Sequence, residues 1–191
     1  MSYPDHSDQR PLSPVVESEL SGDQRELLQS ARDIALRRLS RSQQTRAQLE
    51  KALAGKEIPD EVAAAVLDRF EEVGLVDDQA YVAAFLESCR ATPGRSRRWI
   101  NHRLVSKGVD RELVQSGVAE ISDEEELASA VALLRRKGQF DPSNRKEVNR
   151  RYALLARRGF TPNTISTALA EAQHEQDGAE ESTDWDTVVS P

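Results

Sequence analysis

Apolar residues recur at helical spacing along the middle of the chain, and patterns typical of strands are scarce. The segment QRELLQSARDIALRRL places Leu27, Ala31, Ile34 and Leu39 on one side of a helix. Few β-branched residues alternate with polar ones, no Asn-Gly turn occurs, and aromatic residues make up only 5% of the chain. The pattern therefore predicts an all-α protein.

One short pattern of apolar and basic residues returns three times, each copy 51 residues after the last. The copies are Leu53-Lys56-Glu57-Ile58, Leu104-Lys107-Gly108-Val109 and Leu155-Arg158-Gly159-Phe160. A fixed period of this size is typical of repeat proteins, in which each unit buries its apolar face against its neighbours. We expect three tandem three-helix repeats, at residues 31–78, 79–121 and 122–175, forming an elongated, curved helical solenoid.

Capping residues and helix breakers predict where the helices of the first two repeats begin and end. In repeat one, a second helix is expected near residues 43–53, and Pro59 opens a third that ends near Gly74. Asp78 is the predicted N-cap of the next helix. Repeat two is expected to run near residues 79–90, break at residues 93–94, stop at Gly108 and restart after an Asp110 cap.

The third repeat has the clearest local signals for helix starts. Ser122 and Glu125 have the spacing of a capping box, and so do Asn144 and Glu147. Thr161 is followed by a proline at the expected first helical position. The carboxylates of SDEEE at residues 122–126 are explained as acids in a first turn, where they favour the helix dipole.

Charge is distributed unevenly along the chain. The net charge is −7, but residues 1–30 contribute −4, residues 176–191 contribute −5, and the residues between them contribute +2. Acidic segments poor in core-forming residues are typical of disorder, so both ends are predicted to be acidic disordered tails. No apolar run is long enough to span a membrane and no signal peptide is recognisable, so a cytoplasmic protein is expected. The single cysteine, Cys89, is predicted to be a core or boundary thiol.

The basic residues concentrate in and beside particular helices, where they face away from the expected core. On a helix beginning near Arg95, Arg98 and His102 follow on one face while Ile100 and Leu104 form the buried pair. In the third repeat, Val148, Tyr152 and Leu155 form the predicted apolar seam, and Trp99 and Tyr152 are both interpreted as core. The candidate partner-binding or DNA-binding residues are Arg37, Arg38, Arg41, Arg46, Arg95, Arg97, Arg98, Arg103, Lys107, Lys146, Arg150, Arg151, Arg157 and Arg158.

Two partners suit such a surface, namely nucleic-acid phosphate and an acidic groove on another protein, because arginine binds phosphate and carboxylate alike. A helix-turn-helix that reads duplex DNA also stays open, and the alternative for each arginine is a solvated or ion-paired surface residue. Catalysis is poorly supported, because His6, His102 and His174 are scattered and no phosphate-binding loop or metal-ligand spacing occurs. We expect no enzyme activity, no cofactor and no metal.

Four segments resemble, in order, those of the RecX family of regulators of the RecA recombinase: LRRLSRSQQTRAQLEKAL, VLDRFEEVGLVDDQAYVAAFLESC, GRSRRWINHRLVSKGV and LLARRGFTPNTI. The most specific match runs from Leu67 to Tyr81, where the family favours Leu, Gly-Leu, Asp-Asp and a following aromatic residue. Gln48 and Arg103 depart from the family, which often has Glu at those positions.

The resemblance implies a tandem of three-helix repeats that lies in the groove of the RecA filament on DNA. It further implies that the protein restrains ATP hydrolysis, strand exchange and coprotease activity in DNA repair and the SOS response. The expected partners are the RecA filament and single- or double-stranded DNA, without a membrane, and the protein is expected to be a monomer. The alternative is a DNA-binding protein that acts through its basic helical face without RecA.

Overall fold

The computed structural model describes the backbone of residues 21–184 and the side chains of residues 21–176. Within that range the protein is all-α, as predicted, with nine helices and no strand. The helices are α1 (Gly22–Leu39), α2 (Arg46–Ala54), α3 (Asp60–Glu72), α4 (Asp78–Ala91), α5 (Arg97–Ser106), α6 (Arg111–Ala119), α7 (Asp123–Arg135), α8 (Arg145–Arg157) and α9 (Pro162–Asp184). They form two compact units, one ending at Tyr81 and one beginning at Val82. The elongated, curved form stays a prediction.

The first unit packs α1, α2 and α3 around one apolar core. Its buried residues are Ala31, Ala35, Leu49, Leu53, Ile58, Ala63, Val66, Leu67, Phe70 and Val76. Alanines at the centre of α1 let the neighbouring helices approach closely, while leucines from α2 and α3 fill the space between them. The Leu27, Ile34 and Leu39 side chains are partly buried against the same core, as their helical spacing predicts.

The predicted limits of the two tails, at residues 30 and 176, are wrong. Helix α1 begins at Gly22, because Ser21 accepts a hydrogen bond from the Gln24 amide and the Gln24 side chain accepts one from the Ser21 amide. At the other end, α9 continues to Asp184. The acidity of residues 1–30 concealed a helix start, and residues 1–20 and 185–191 lie outside the described part of the chain.

The two aspartates after α3 cap different helices. Asp77, rather than the predicted Asp78, is the N-cap of α4, since its Oδ1 accepts from the Ala80 amide at 2.8 Å. Asp78 instead reaches back to the start of α2, where its Oδ1 accepts from the Arg46 amide at 2.9 Å. Burial raises the pKa of the Asp78 carboxyl, although the hydrogen bond and the charge of Arg46 oppose that rise. Asp78 therefore ties the start of α4 to the start of α2, while Asp77 caps α4 itself.

The second unit contains the second and third repeats, and polar contacts join them. The segment before α5 packs against α7, where Ser129 Oγ accepts from the Gly94 amide at 2.8 Å. Ser96, which caps α5 and is fully buried, donates its hydroxyl to the Arg158 carbonyl at 2.7 Å. Repeat three has its own core, comprising Ala130, Val131, Leu133, Leu134, Phe140, Leu155, Phe160, Ile165, Ala168 and Ala172.

The turn that repeats every 51 residues has the same geometry in all three copies. The amides of Ile58, Val109 and Phe160 donate to carbonyls five residues earlier, at 3.2, 3.3 and 3.3 Å. The residue before each has a positive φ: 59° at Glu57, 81° at Gly108 and 87° at Gly159. These are helix ends closed by a left-handed residue, so the shared pattern of the three segments reflects a shared structure.

Of the three predicted helix starts in the third repeat, two are confirmed and one capping box is wrong. Ser122 and Glu125 form the capping box that their spacing predicts. The Asn144–Glu147 box is wrong: Asn144 caps α8 by accepting from the Lys146 amide, but Glu147 Oε2 accepts from the Asp141 amide at 3.0 Å. The turn before α8 brings the Asp141 amide to Glu147, so the expected partner is replaced. Thr161 accepts from the Thr164 amide, and Pro162 is the first residue of α9.

Candidate functional site

The fourteen basic residues predicted to bind a partner fall at the ends and outer faces of helices. The first unit carries Arg37 and Arg38 in the last turn of α1, Arg41 after it and Arg46 at the start of α2. The second unit carries the rest, in or beside α5 and α8: Arg95, Arg97, Arg98, Arg103, Lys107, Lys146, Arg150, Arg151, Arg157 and Arg158. The structure separates these residues into arginines held by acceptors of the protein itself and cations that are exposed.

Arg46 is held by three carboxylates within the first unit. Its guanidinium donates to Glu50 Oε1 at 2.9 Å, Asp68 Oδ1 at 2.6 Å and Glu71 Oε2 at 2.5 Å. Burial works against the charge, but the three carboxylates outweigh it and raise the pKa of the guanidinium further above its ordinary value. This arginine joins α2 to α3, and its charge is already neutralised inside the unit.

Arg97 is held by a buried carboxylate at the junction of repeats two and three. Glu126 is only 4% exposed, and its two oxygens accept from the Arg97 amide and from Arg97 Nε, both at 2.9 Å. Arg97 also pairs with Asp123 and donates to the Ile121 carbonyl. The Asp123 hydrogen bond raises the pKa of the guanidinium, with Glu126 adding to the effect. Glu126 therefore has a role beyond the helix dipole expected for its run of acids.

Arg151 and Arg158 are held by backbone carbonyls. Arg151 Nη2 donates to the carbonyls of Lys137, Gly138 and Gln139, at 3.1 to 3.2 Å, and its guanidinium lies 5.7 Å from the centre of the Phe140 ring. Arg158 Nη1 donates to the Gly94 carbonyl at 3.2 Å. These carbonyls lie in the loops that follow α7 and α4, so Arg151 ties the first loop to α8 and Arg158 ties the second to the end of α8.

The aromatic residues of the basic helices are less buried than predicted. Trp99 is half-buried and stacks on Phe85, with ring centres 6.3 Å apart, while the Arg95 guanidinium lies 4.8 Å from the Trp99 ring centre. Tyr152 is 38% exposed, so its assignment to the core is wrong. Leu154, which points about 200° away from Tyr152 round α8, is partly buried against the core instead.

The remaining cations are largely exposed. The side chains of seven of them make neither an ion pair nor a hydrogen bond among the described residues: Arg38, Arg41, Arg98, Arg103, Lys146, Arg150 and Arg157. Arg37 donates only to the Asp33 carbonyl, at 3.3 Å, and Lys107 is half-buried. The fourteen candidates therefore divide between arginines that hold parts of the fold together and cations whose side chains face solvent.

Two of these exposed arginines line a groove in the third repeat, which we call the repeat-three groove. It has a volume of about 430 Å³ and is lined by Lys137, Gln139, Glu147, Arg150, Arg151, Leu154 and Arg157. Arg150 and Arg157 are seven residues apart on α8, which places them about 10.5 Å apart along the helix axis. The sequence prediction omitted Lys137, although the run of bases RRKG at the end of α7 could have indicated it. The groove has three cations more than carboxylates.

The histidine, cysteine and acidic side chains of the described part of the molecule do not gather into a metal site. No group of three His, Cys, Asp or Glu side chains there could hold a metal ion. His102 and His174 are exposed on different helices, and His6 lies outside the described residues. Cys89 is buried, as predicted, with Arg95 Nη1 at 3.4 Å from its sulfur. Within the same range no helix is sufficiently long and apolar to cross a membrane.

The fold and the site together define a helical-repeat protein that carries exposed cations in and beside α1, α5 and α8. Known proteins identify its family. Residues 31–70, 77–117 and 123–169 match the first, second and third three-helix domains of RecX. The regulatory protein RecX of Thermobifida fusca is 41% identical over 157 residues, which cover 81% of this chain and 84% of that protein. The chain belongs to the RecX family.

Other relatives and solved structures agree. The regulatory protein RecX of Mycolicibacterium vanbaalenii is 37% identical over 158 residues, covering 78% of this chain and 86% of that protein. The crystal structure of RecX from Lactobacillus salivarius superimposes with a TM-score of 0.66 at 20% identity, covering 78% of this chain and 97% of that chain. A second crystal structure, of a regulatory protein RecX, gives a TM-score of 0.67 with 80% of each chain covered. At 20% identity these two likenesses establish the fold alone.

Proposed function

We propose that this chain binds the RecA nucleoprotein filament and inhibits its ATPase, recombinase and coprotease activities in DNA repair and the SOS response. The observation that carries the proposal is that all three RecX domains are present in one chain whose curated relatives are named regulatory proteins. In this proposal it is a cytoplasmic monomer that acts by binding, with no catalytic centre or cofactor of its own.

The exposed cations support a binding role at several points. The first unit exposes Arg38 and Arg41, and the second exposes Arg98 on α5 and Arg150 and Arg157 on α8. A filament presents the same surface many times, so contacts that are weak singly add up when several form at once. Arg97 and Arg151 contribute indirectly, since they hold α5 and α8, which carry exposed cations. Arg46 instead joins α2 to α3 within the first unit.

The DNA-dependent ATPase of RecA, measured with and without this protein, tests the proposal. Wild-type protein should lower the rate, and the double variant Arg150→Glu/Arg157→Glu should need a much higher concentration for the same inhibition. A matched control, Lys51→Glu/Arg111→Glu, changes the charge equally at exposed positions outside the candidate set. An unchanged ATPase rate with wild-type protein would refute the proposal, and equal losses in the two variants would assign the effect to net charge.

The repeat-three groove favours a second candidate function, namely DNA binding without RecA. Its cations could contact successive phosphates, and each phosphate contact releases counterions, so affinity for single strands falls with salt with a slope of about 0.7 per contact. Binding of a labelled oligonucleotide across a salt series should show this slope, and Arg150→Gln/Arg157→Gln should reduce it by about 1.4. Pull-down of RecA in the absence of DNA separates the candidates, because only the first requires direct contact with RecA.

A further inference from the structure

The turn after α3 exposes an apolar side chain that the first unit does not need. The Leu75 amide donates to the Phe70 carbonyl at 2.8 Å and the Gly74 amide donates to the Glu71 carbonyl at 3.0 Å, which closes the helix end. Val76, the next residue, is buried in the core. Leu75 is 50% exposed, more than any other large apolar side chain in the described range. The turn is complete through its backbone bonds, so a polar residue would serve equally well at this position.

Leu75 forms one wall of a groove that lies entirely within the first unit. Leu39 from α1 and Ala80 and Tyr81 from α4 form the other apolar parts of the lining, and the volume is about 130 Å³. Leu36, also exposed, lies one turn before Leu39 on the same face of α1 and extends the apolar surface. An apolar cavity of about 150 Å³ holds a benzene ring, so this groove has room for one apolar side chain.

The rim of this groove, the Leu75 groove, is polar and suits a peptide better than a nucleic acid. Gln43 and Gln44 line it. Gln44 Nε2 already donates to Ser42 Oγ and the Gln43 carbonyl, so the exposed Gln43 amide and the Gln44 Oε1 oxygen are the groups that can bond to the backbone of an incoming segment. Asp77 also lines it, and a carboxylate at the rim repels phosphate. Arg41, two residues before Gln43, is exposed and offers a nearby cation to a carboxylate.

We propose that the Leu75 groove is a docking site for a partner protein, which inserts one apolar side chain and places a carboxylate near Arg41. Exposed apolar patches rimmed by polar groups are typical of protein interaction sites, and a central apolar anchor usually supplies much of the binding energy. The inference rests on the proposed function, because it takes the protein subunits of the filament as the partner. It adds to the exposed cations, of which Arg41 is one, an apolar anchor through which the first unit contacts protein.

The test compares Leu75→Ser with Val105→Ser, a control that removes a 37% exposed apolar side chain from α5 in the second unit. Binding is measured to RecA filaments assembled on a labelled oligonucleotide and, separately, to the bare oligonucleotide. We expect the dissociation constant of Leu75→Ser for the filament to rise about tenfold, the loss of one half-buried apolar anchor. Val105→Ser should bind the filament normally, and neither variant should bind bare DNA differently from wild type.

A second variant, Ala80→Trp, keeps the test decisive if Leu75→Ser folds poorly, because it fills the groove with a side chain of the protein itself. It too should weaken filament binding about tenfold. Leu75→Ser and Ala80→Trp proteins that bind the filament as wild type does would overturn the docking site alone. Equal losses on filament and bare DNA would overturn it as well, since the groove would then act on nucleic acid. Wild-type protein that fails to bind the filament would overturn both this inference and the proposed function.

Discussion

Replacing Arg97 or Arg98 by alanine should give very different losses of stability, although the two arginines are adjacent. Arg97 neutralises the buried Glu126 carboxylate and donates to it at 2.9 Å, whereas the Arg98 side chain is exposed and makes no bond among the described residues. Removing one partner of a fully buried ion pair costs about 3–5 kcal/mol, because the other charge is left buried without compensation.

The expected cost at Arg97 is smaller than that range. Its side chain is 35% exposed, so water already screens part of the interaction, and Glu126 keeps its bond from the residue-97 amide after the change. We therefore expect Arg97→Ala to lower the free energy of unfolding by about 2 kcal/mol. Arg98→Ala should change it by less than about 0.5 kcal/mol, as is usual for exposed positions.

The measurement is denaturant unfolding followed by tryptophan fluorescence in a Trp185→Phe background, which leaves Trp99 as the only tryptophan. The double variant Arg97→Ala/Glu126→Leu should recover part of the loss, because it removes the buried carboxylate along with its partner. Equal stability of Arg97→Ala and Arg98→Ala would refute the reasoning, since burial of Glu126 would then impose no dependence on Arg97.

Three further predictions concern the turns and the aspartate between the first two repeats. Glu57→Gly should raise the free energy of unfolding by about 1 kcal/mol, because φ at Glu57 is 59° and glycine adopts that conformation without steric cost; urea unfolding measures it. Gly159→Ala should destabilise more than Gly138→Ala in the same assay, since both have positive φ but only at Gly159 would a Cβ meet another group, Ser96 Oγ, at 2.7 Å. Burial raises the folded-state pKa of Asp78, so the free energy of unfolding of wild type should rise relative to that of Asp78→Asn as pH falls from the raised value towards about 3.9. Unfolding of both proteins at pH 7, 5 and 4 measures this difference. A wild-type stability that falls relative to Asp78→Asn on acidification contradicts the assignment.

The features that the sequence predicted correctly are local ones. The repeated turns were found because a leucine, a basic residue and a left-handed position follow one another within five residues, and backbone geometry fixes their bonds at that range. Glu57 occupies the left-handed position that is glycine in the other two copies. The period of 51 residues therefore identified this turn, whereas a search for glycine would have missed it. All-α character likewise follows from apolar spacing within each helix.

The departure at Gln48 also has a local explanation. Thr45 and Gln48 form a capping box at the start of α2, in which the Gln48 side chain accepts from the Thr45 amide at 3.1 Å. Glutamine and glutamate both serve at this position of the box, so the loss of the family's frequent charge leaves the cap intact. The spacing of Thr45 and Gln48 could have revealed this from the sequence, and would have placed the helix start at Arg46 rather than near residue 43.

Contacts between residues distant in sequence were beyond prediction. Arg97 meets Glu126, 29 positions away, and Arg46 meets Asp68 and Glu71 on another helix. The sequence does not separate these arginines from exposed ones, because both are arginines at similar positions along their helices. The same limit applies to Tyr152 and Leu154, whose side chains point about 200° apart round α8. The spacing of apolar residues did not show that Leu154 packs against the core and Tyr152 is exposed.

In the arginine doublets of the second unit, packing gives two adjacent arginines different roles. In the pairs at residues 97–98, 150–151 and 157–158, one arginine is held by acceptors of the protein and the other is exposed without a partner among the described residues. Successive residues on a helix point about 100° apart, so a doublet at the edge of the buried face places one guanidinium inward and one outward. Reversing the charge of a whole doublet would therefore damage the scaffold and the exposed surface together, and only single substitutions can assign a loss of partner binding to the outward arginine.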